Sequence, residues 1–241
     1  MRRFFLKTIL FCIIILSLIL GIHLGTNIVN VASDSYVRDR VFKLHNSKGS
    51  CTGVDVRAPS GKVYMLSAGH CADLADEDGL ILAESEQGVD TPVRVIEIDA
   101  EHDLLILTSA SAKSIEVADH VYLHQHVHSM THGHGMPTYR TDGEMLKDEV
   151  LEFPMFKVTD QASFTKCTAV SNQHIAFSTA DGLLCVIKLE CTMSSAQIVP
   201  GSSGGPVVDE AGRLVGIASN TDGVISGLVP LPDIHNILKG R

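Results

Sequence analysis

From Ser35 onward the chain offers no long helical face. Its apolar residues come in short runs broken by Gly, Asp, Asn and Ser, the pattern of strands joined by tight turns. Six runs come first: Val37–Leu44, Cys51–Val56, Lys62–Ser67, Gly79–Ala83, Val93–Ile98 and Leu104–Thr108. Pro92, Gly79 and Ser60-Gly61 supply their turn chemistry. Together they suit one small antiparallel barrel or sandwich. A second set follows: Val121–His128, Phe156–Val158, Thr165–Val170, Gln173–Phe177, Leu183–Leu189, Pro206–Val208, Leu214–Ser219 and Val224–Leu228. Helical periodicity returns only at Pro232–Lys239, read as a short terminal helix. There is no internal repeat, and the boundary between the two β units falls near Ala110–Val117.

The first residues form a separate piece. Arg2, Arg3 and Lys7 flank an apolar run from Thr8 to Leu24, as in a secretory signal or a signal anchor. The run favours an anchor with its N-terminus in the cytoplasm. Either reading puts the rest of the chain outside the cytoplasm, anchored if the segment is kept and secreted or periplasmic if it is cleaved. The expected organisation is therefore a leader over 1–32, a first β unit over 33–115 and a second over 116–241. At 45% apolar residues there is material for a full core, built from aliphatic side chains because tryptophan is absent. A net charge of −9, with no basic stripe past the leader, excludes nucleic acid as a partner. Cys12 lies in the leader, leaving Cys51, Cys71, Cys167, Cys185 and Cys191 in a compartment that permits disulfides. That odd number leaves at least one thiol free or paired between chains.

Pro200-Gly201-Ser202-Ser203-Gly204-Gly205-Pro206 carries the chemistry. A serine that attacks a carbonyl needs an exposed hydroxyl and backbone N–H donors aimed at the oxyanion, and glycines let the chain bend and the substrate approach. Upstream lie Leu66-Ser67-Ala68-Gly69-His70-Cys71 and Glu101-His102-Asp103-Leu104-Leu105. His70 would take and return a proton, and Asp103, at the mouth of an apolar run, would hold the far imidazole nitrogen. The order His, Asp, Ser is one known way of assembling a hydrolytic triad.

On these three motifs, LSAGHC, EHDLLIL and GSSGGP, the chain from about Val41 to its C-terminus resembles the chymotrypsin-like serine proteases. The resemblance implies an all-β fold of two six-stranded antiparallel barrels, with a short C-terminal helix and the site between the barrels. It implies His70, Asp103 and Ser203 as catalytic residues and the Gly201 and Ser203 N–H groups as oxyanion donors. It also implies a Cys51–Cys71 disulfide bracing His70, and a Ser219 hydroxyl bonded to Asp103. By position, Gln197 would floor the substrate pocket, with Ser219, Asn220 and Gly223 at its walls. No acid stands at that floor, so a neutral, small or aliphatic side chain is expected before the cut. Cys185 and Cys191 lie too far apart along one strand to bridge, so by spacing Cys167 is expected to pair with one or the other of them.

Two departures matter. Digestive members carry aspartate at the position of Ser202, where it binds a newly freed N-terminus; serine cannot, so the domain is expected to fold directly into its active form. The short His70–Asp103 spacing is closer to bacterial stress proteases, although their C-terminal peptide-binding domain is not expected here.

His120, His124, His126, His128, His132 and His134 crowd one stretch. On a strand His124, His126 and His128 would face one side and could bind zinc or copper. The leading expectation is a serine endopeptidase acting on protein or peptide through an acyl-enzyme, without a cofactor. A silent binding module on the same scaffold and a metal-binding membrane protein centred on these histidines are the alternatives.

Overall fold

The computed structural model describes residues 34–158, 174–179, 182–221 and 224–241. Val37–Arg241 forms one compact unit. Six strands close the first barrel: β1 (Val41–Asn46), β2 (Gly49–Arg57), β3 (Val63–Ala68), β4 (Leu80–Glu84), β5 (Asp90–Asp99) and β6 (Leu104–Thr108), in the order β1-β2-β3-β6-β5-β4. The second set comprises β7 (His126–Thr131), β8 (Tyr139–Val158), β9 (His174–Thr179), β10 (Gly182–Ser194), β11 (Pro206–Asp209), β12 (Leu214–Thr221) and β13 (Ser226–Val229). Its order is β13-β12-β11-β7-β8-β10-β9, and an extra β13–β10 pairing closes six strands into the second barrel. β9 remains as a seventh strand on the outer side of β10. Helix α1 (Leu231–Leu238) follows Pro230.

β6 shows how the sequence positions the site. Side chains alternate across a strand, and here both faces are buried. Leu105 and Leu107 point into the first barrel with Phe42, Leu44, Met65 and Ile81. Leu104 and Ile106 point the other way, into a layer shared with Met130, Val208, Leu214 and Ile217 of the second barrel and Ile234 and Leu238 of α1. Full burial of each leucine is worth roughly 2 kcal/mol. The residue just before β6 is therefore held at the seam of two apolar cores, and that residue is Asp103. The second barrel has its own interior of Val127, Met145, Ile198, Val207, Val215 and Leu228.

The connection between barrels is pinned at its start. Asp55, on β2 and fully buried, accepts bonds at Oδ2 from Ser109 Oγ (2.8 Å), Ser111 N (3.0 Å) and Ser111 Oγ (3.0 Å). Its Oδ1 is buried with no hydrogen-bond partner among the described residues. Burial pushes the Asp55 carboxyl up to about 7, against the pull of these donors. Further along, Ile115 bridges to Val56 and Val117 to Leu214.

Three strand expectations need correction. The run from Val37 becomes a strand only at Val41, and the run from Val121 only at His126. Phe156–Val158 is the tail of the 20-residue β8. Charged residues fill much of Tyr139–Glu149, so local propensity hides a strand that pairing with β7 and β10 imposes. Pro154, which cannot donate to the ladder, sits where the register shifts between Cys185 and Val186. The strand expected over Thr165–Val170 lies outside the described residues, as does the apolar leader.

Candidate active site

His70 sits on a 3-10 turn, Gly69–Leu74, immediately after β3. Its neighbour Gly69 donates its N–H to the Asp103 carbonyl at 2.8 Å. A Cβ on Gly69 would lie 2.9 Å from Asp103 backbone, so only glycine permits this approach. Asp103 itself has φ 53°, a left-handed conformation that short polar side chains tolerate best. This turn at the mouth of β6 swings its carboxylate, only 7% exposed, back toward the histidine.

The carboxylate is then clasped. The His70 backbone N–H donates to Oδ1 at 2.8 Å, and His70 Nδ1 lies 3.1 Å from Oδ1 and 3.0 Å from Oδ2. The Ser219 hydroxyl donates to Oδ2. A carboxylate only accepts, so Nδ1 carries the proton and Nε2 keeps a lone pair. Burial disfavours imidazolium at His70, but the Asp103 hydrogen bond and the charges of Asp103 and Asp73 outweigh it. The histidine is held above its ordinary value of 6.5.

The loop that carries Ser203 is gripped from the first barrel by Thr52, on β2. Thr52 N donates to the Ser203 carbonyl at 2.7 Å, and Thr52 Oγ1 donates to the Gly201 carbonyl at 2.9 Å. Gly204, at φ 85°, passes so close to β2 and β3 that a Cβ would overlap Ser67 Oγ and the Thr52 carbonyl. Cys51, beside Thr52, forms a disulfide with Cys71, beside His70. One covalent link thus joins the strand that grips the Ser203 loop to the turn that holds His70. Thr52 was not anticipated; its place beside Cys51 was the available signal.

Ser202 is fully buried in a knot of neutral bonds. Its Oγ lies 2.9 Å from Thr131 Oγ1 and 3.1 Å from the Tyr139 hydroxyl, and it accepts from Val199 N at 3.2 Å. The Pro200 carbonyl accepts from His134 N at 2.6 Å. Because the peptide bond is trans, this bond turns the Gly201 N–H to the opposite side. Neither that N–H nor the Ser203 N–H finds an acceptor among the described residues. The Ser203 hydroxyl donates to the Ser219 carbonyl at 3.2 Å. Ser219 therefore bridges Asp103 and Ser203; no hydrogen bond joins His70 to Ser203 among the described residues.

The expected pocket residues divide. Gln197 is exposed, and its carbonyl accepts from Thr141 Oγ1 at 2.7 Å. Ser219 and Asn220 are drawn into the hydrogen bonds around Asp103, and Gly223 lies outside the described residues. Cys185 is disulfide-bonded, whereas Cys191 is a free, buried thiol.

The histidine stretch does not form the even row that alternation predicts. β7 starts at His126, and His124 stands before it at φ 62°. His126 is exposed and near Glu210, whereas His128 is buried. His132 bonds the Met136 carbonyl through Nδ1 and Thr138 Oγ1 through Nε2, and burial holds it below the ordinary value. Among the described residues, the donor groups close enough to share an ion include none of the six.

A family model for the trypsin-like peptidase domain matches residues 49–217, most of the chain and all three motifs. The chain belongs to the trypsin-like peptidase family. This peptidase has the two-barrel architecture of solved bacterial proteases. It is similar to the active form of the Rv3671c protease from M. tuberculosis, with TM-score 0.63 and 14% identity over 87% of this chain and 83% of that one. It is also similar to a serine endoprotease from Yersinia pestis, with TM-score 0.59 and 15% identity over 86% and 64%. A third likeness is to the HtrA-type protease AlgW with a tripeptide, with TM-score 0.59 and 19% identity over 87% and 64%. A comparison with curated protein sequences returns no significant match. A trypsin-like peptidase acts on protein or peptide substrates.

Proposed function

We propose that this chain is a serine endopeptidase that cleaves peptide bonds through an acyl-enzyme, with His70, Asp103 and Ser203 as its triad. The observation that carries the reading is the clasp on the imidazole, which leaves Nε2 unprotonated and directed away from Asp103. Rotation of the Ser203 side chain exchanges its bond to the Ser219 carbonyl for one to Nε2. His70 then takes the hydroxyl proton as Oγ attacks the scissile carbonyl. The oxyanion is received by the Gly201 and Ser203 N–H groups, which hold no other acceptor. Protonated Nε2 gives its proton to the leaving amine, and water repeats the sequence to release the acid.

The Ser202 knot supports activity without a preceding cut. Its three neutral partners shape the loop that, in digestive relatives, waits for an N-terminal ammonium. The absence of an acid at Gln197 supports neutral residues before the scissile bond. The basic flank and apolar run before Gly25 support an extracytoplasmic location, anchored or released. Among the described residues no helix is long and apolar enough to cross a membrane.

A silent binding module is the second reading, favoured by the Ser203 hydroxyl resting on Ser219. Labelling with a fluorophosphonate separates the two. A covalent adduct at Ser203 that disappears in Ser203→Ala is expected; a wild-type protein that takes no label overturns the peptidase reading.

A further inference from the structure

Asn220 sits where a pocket wall was expected, yet its amide is turned into the triad. The cause is local. β12 shifts register against β13 between Ala218 and Asn220, making Ser219 the extra residue of a bulge. Side chains of neighbouring strand residues ordinarily point to opposite faces, and a bulge re-aims them. Here Asn220 Nδ2 reaches Ser219 Oγ at 3.1 Å.

Valence fixes what that contact means. Ser219 has one hydroxyl proton and donates it to Asp103 Oδ2. Whatever faces its remaining lone pairs must be a donor, and the amide nitrogen of Asn220 is one. On its other side the same nitrogen lies 3.9 Å from Cys191 Sγ. Burial pushes that thiol up to about 11, so it stays neutral beside the amide. Asn220 Oδ1, meanwhile, is buried with no hydrogen-bond partner among the described residues. An unsatisfied buried acceptor destabilises a fold, and an aliphatic side chain of the same size would avoid it. Packing alone gives no reason for an amide here.

We propose that Asn220 is a positioning residue for the triad: its Nδ2–H holds the Ser219 hydroxyl so that the Ser219 proton is committed to Asp103. Through Asp103 it fixes the orientation of His70. This role rests on the triad reading above and deepens it. It also gives Ser219 two functions at once, since its carbonyl holds the resting Ser203 hydroxyl.

The test is the rate of fluorophosphonate labelling of the full chain against probe concentration and pH. Asn220→Leu, which keeps the branched shape and removes the donor, is expected to lower the maximal rate about tenfold through loosened triad geometry. The half-saturating probe concentration should stay within about twofold, because no pocket contact is lost. Asn220→Asp turns an acceptor onto Ser219 and competes with Asp103 for its proton. It should slow labelling at least as much and, by adding a negative charge to those of Asp103 and Asp73 around His70, move the acid limb upward. In a Ser219→Ala background, Asn220→Leu should have no further effect, since the residue through which it acts is gone.

Additive losses in that background would overturn the proposal, as would a change confined to the half-saturating concentration or wild-type behaviour of both Asn220 variants. Should Asn220→Leu not fold, the isosteric Asn220→Asp decides alone by its rate and acid limb. Wild-type protein that takes no label would instead remove the triad reading, and this role with it.

Discussion

The first barrel brings His70 and Asp103 to the seam fully tied down, whereas the second delivers Ser203, the proposed nucleophile, with its hydroxyl turned aside. Asp103 is held by the His70 main chain, the imidazole and Ser219, and the turn under His70 is closed by Gly69 and a disulfide. Ser203 stands on an equally well-held loop, but its side chain rests on a single 3.2 Å bond to a carbonyl. The contrast separates what must be rigid from what must move. An acid–base pair works only if its tautomer and direction are set beforehand, while a nucleophile has to swing between base and substrate.

The sharpest way to break this contrast is on the rigid side. Asp103→Asn should lower the labelling rate by about 10³-fold or more, because an amide no longer dictates which imidazole nitrogen carries the proton. The pH profile should move as well. Wild-type labelling should fall as pH drops through a value above 6.5, since Asp103 and Asp73 hold the imidazolium there. Removing the Asp103 charge and hydrogen bond leaves burial to act with less opposition, so the acid limb of any residual activity should move down. An unchanged acid limb would mean that Asp103 does not govern His70.

A smaller effect is expected on the side that moves. Ser202→Ala strips Val199 N of its acceptor and leaves the Thr131 and Tyr139 hydroxyls short of a partner. Thermal or urea unfolding should show a loss of about 1–3 kcal/mol, while Ser203 still takes label. Abolished labelling in a folded Ser202→Ala protein would show that Ser202 is the nucleophile or that the knot alone sets the loop.

Asp55 extends the comparison within the first barrel. Like Asp103 it is a buried aspartate with serine donors, but no imidazole faces it. Its folded value of about 7 lies above the ordinary 3.8, so the folded chain binds the proton more tightly between those values. Stability from this group is therefore full below about pH 4 and lost as pH rises to about 7, a change on the order of 4 kcal/mol at most. Asp55→Asn should flatten the unfolding midpoint against pH between 5 and 8. A wild-type midpoint that does not fall over that range would remove Asp55 as its cause.

Much of the architecture could be read from the residues because apolar alternation and turn chemistry act locally. β2, β3, β4 and β6 lie within a residue or two of their expected bounds for that reason. β8 could not be read: its acidic and basic residues are poor strand formers, and partners on both sides decide its conformation. The site divides in the same way. The His, Asp and Ser motifs are each legible within their own segment, and the Cys51–Cys71 bracket followed from the resemblance that they carry. The grip of Thr52 joins positions 149 residues apart, and the Ser202 hydroxyl reaches Thr131 across 71, distances along the chain that no local motif encodes. The histidines misled because alternation in a sequence sets direction only within a strand, and His124 precedes β7.

Main-chain atoms, not flexible side chains, carry the seam between Thr52 and Ser203, and Gly204 leaves no clearance there. The two halves are therefore keyed like a lock plate to its frame. A motion that parted them would have to break the bond that seats Ser203 before it opened the seam at all. Displacement of either half at this point is thereby felt at once by the other, through atoms that no side-chain rotation can free.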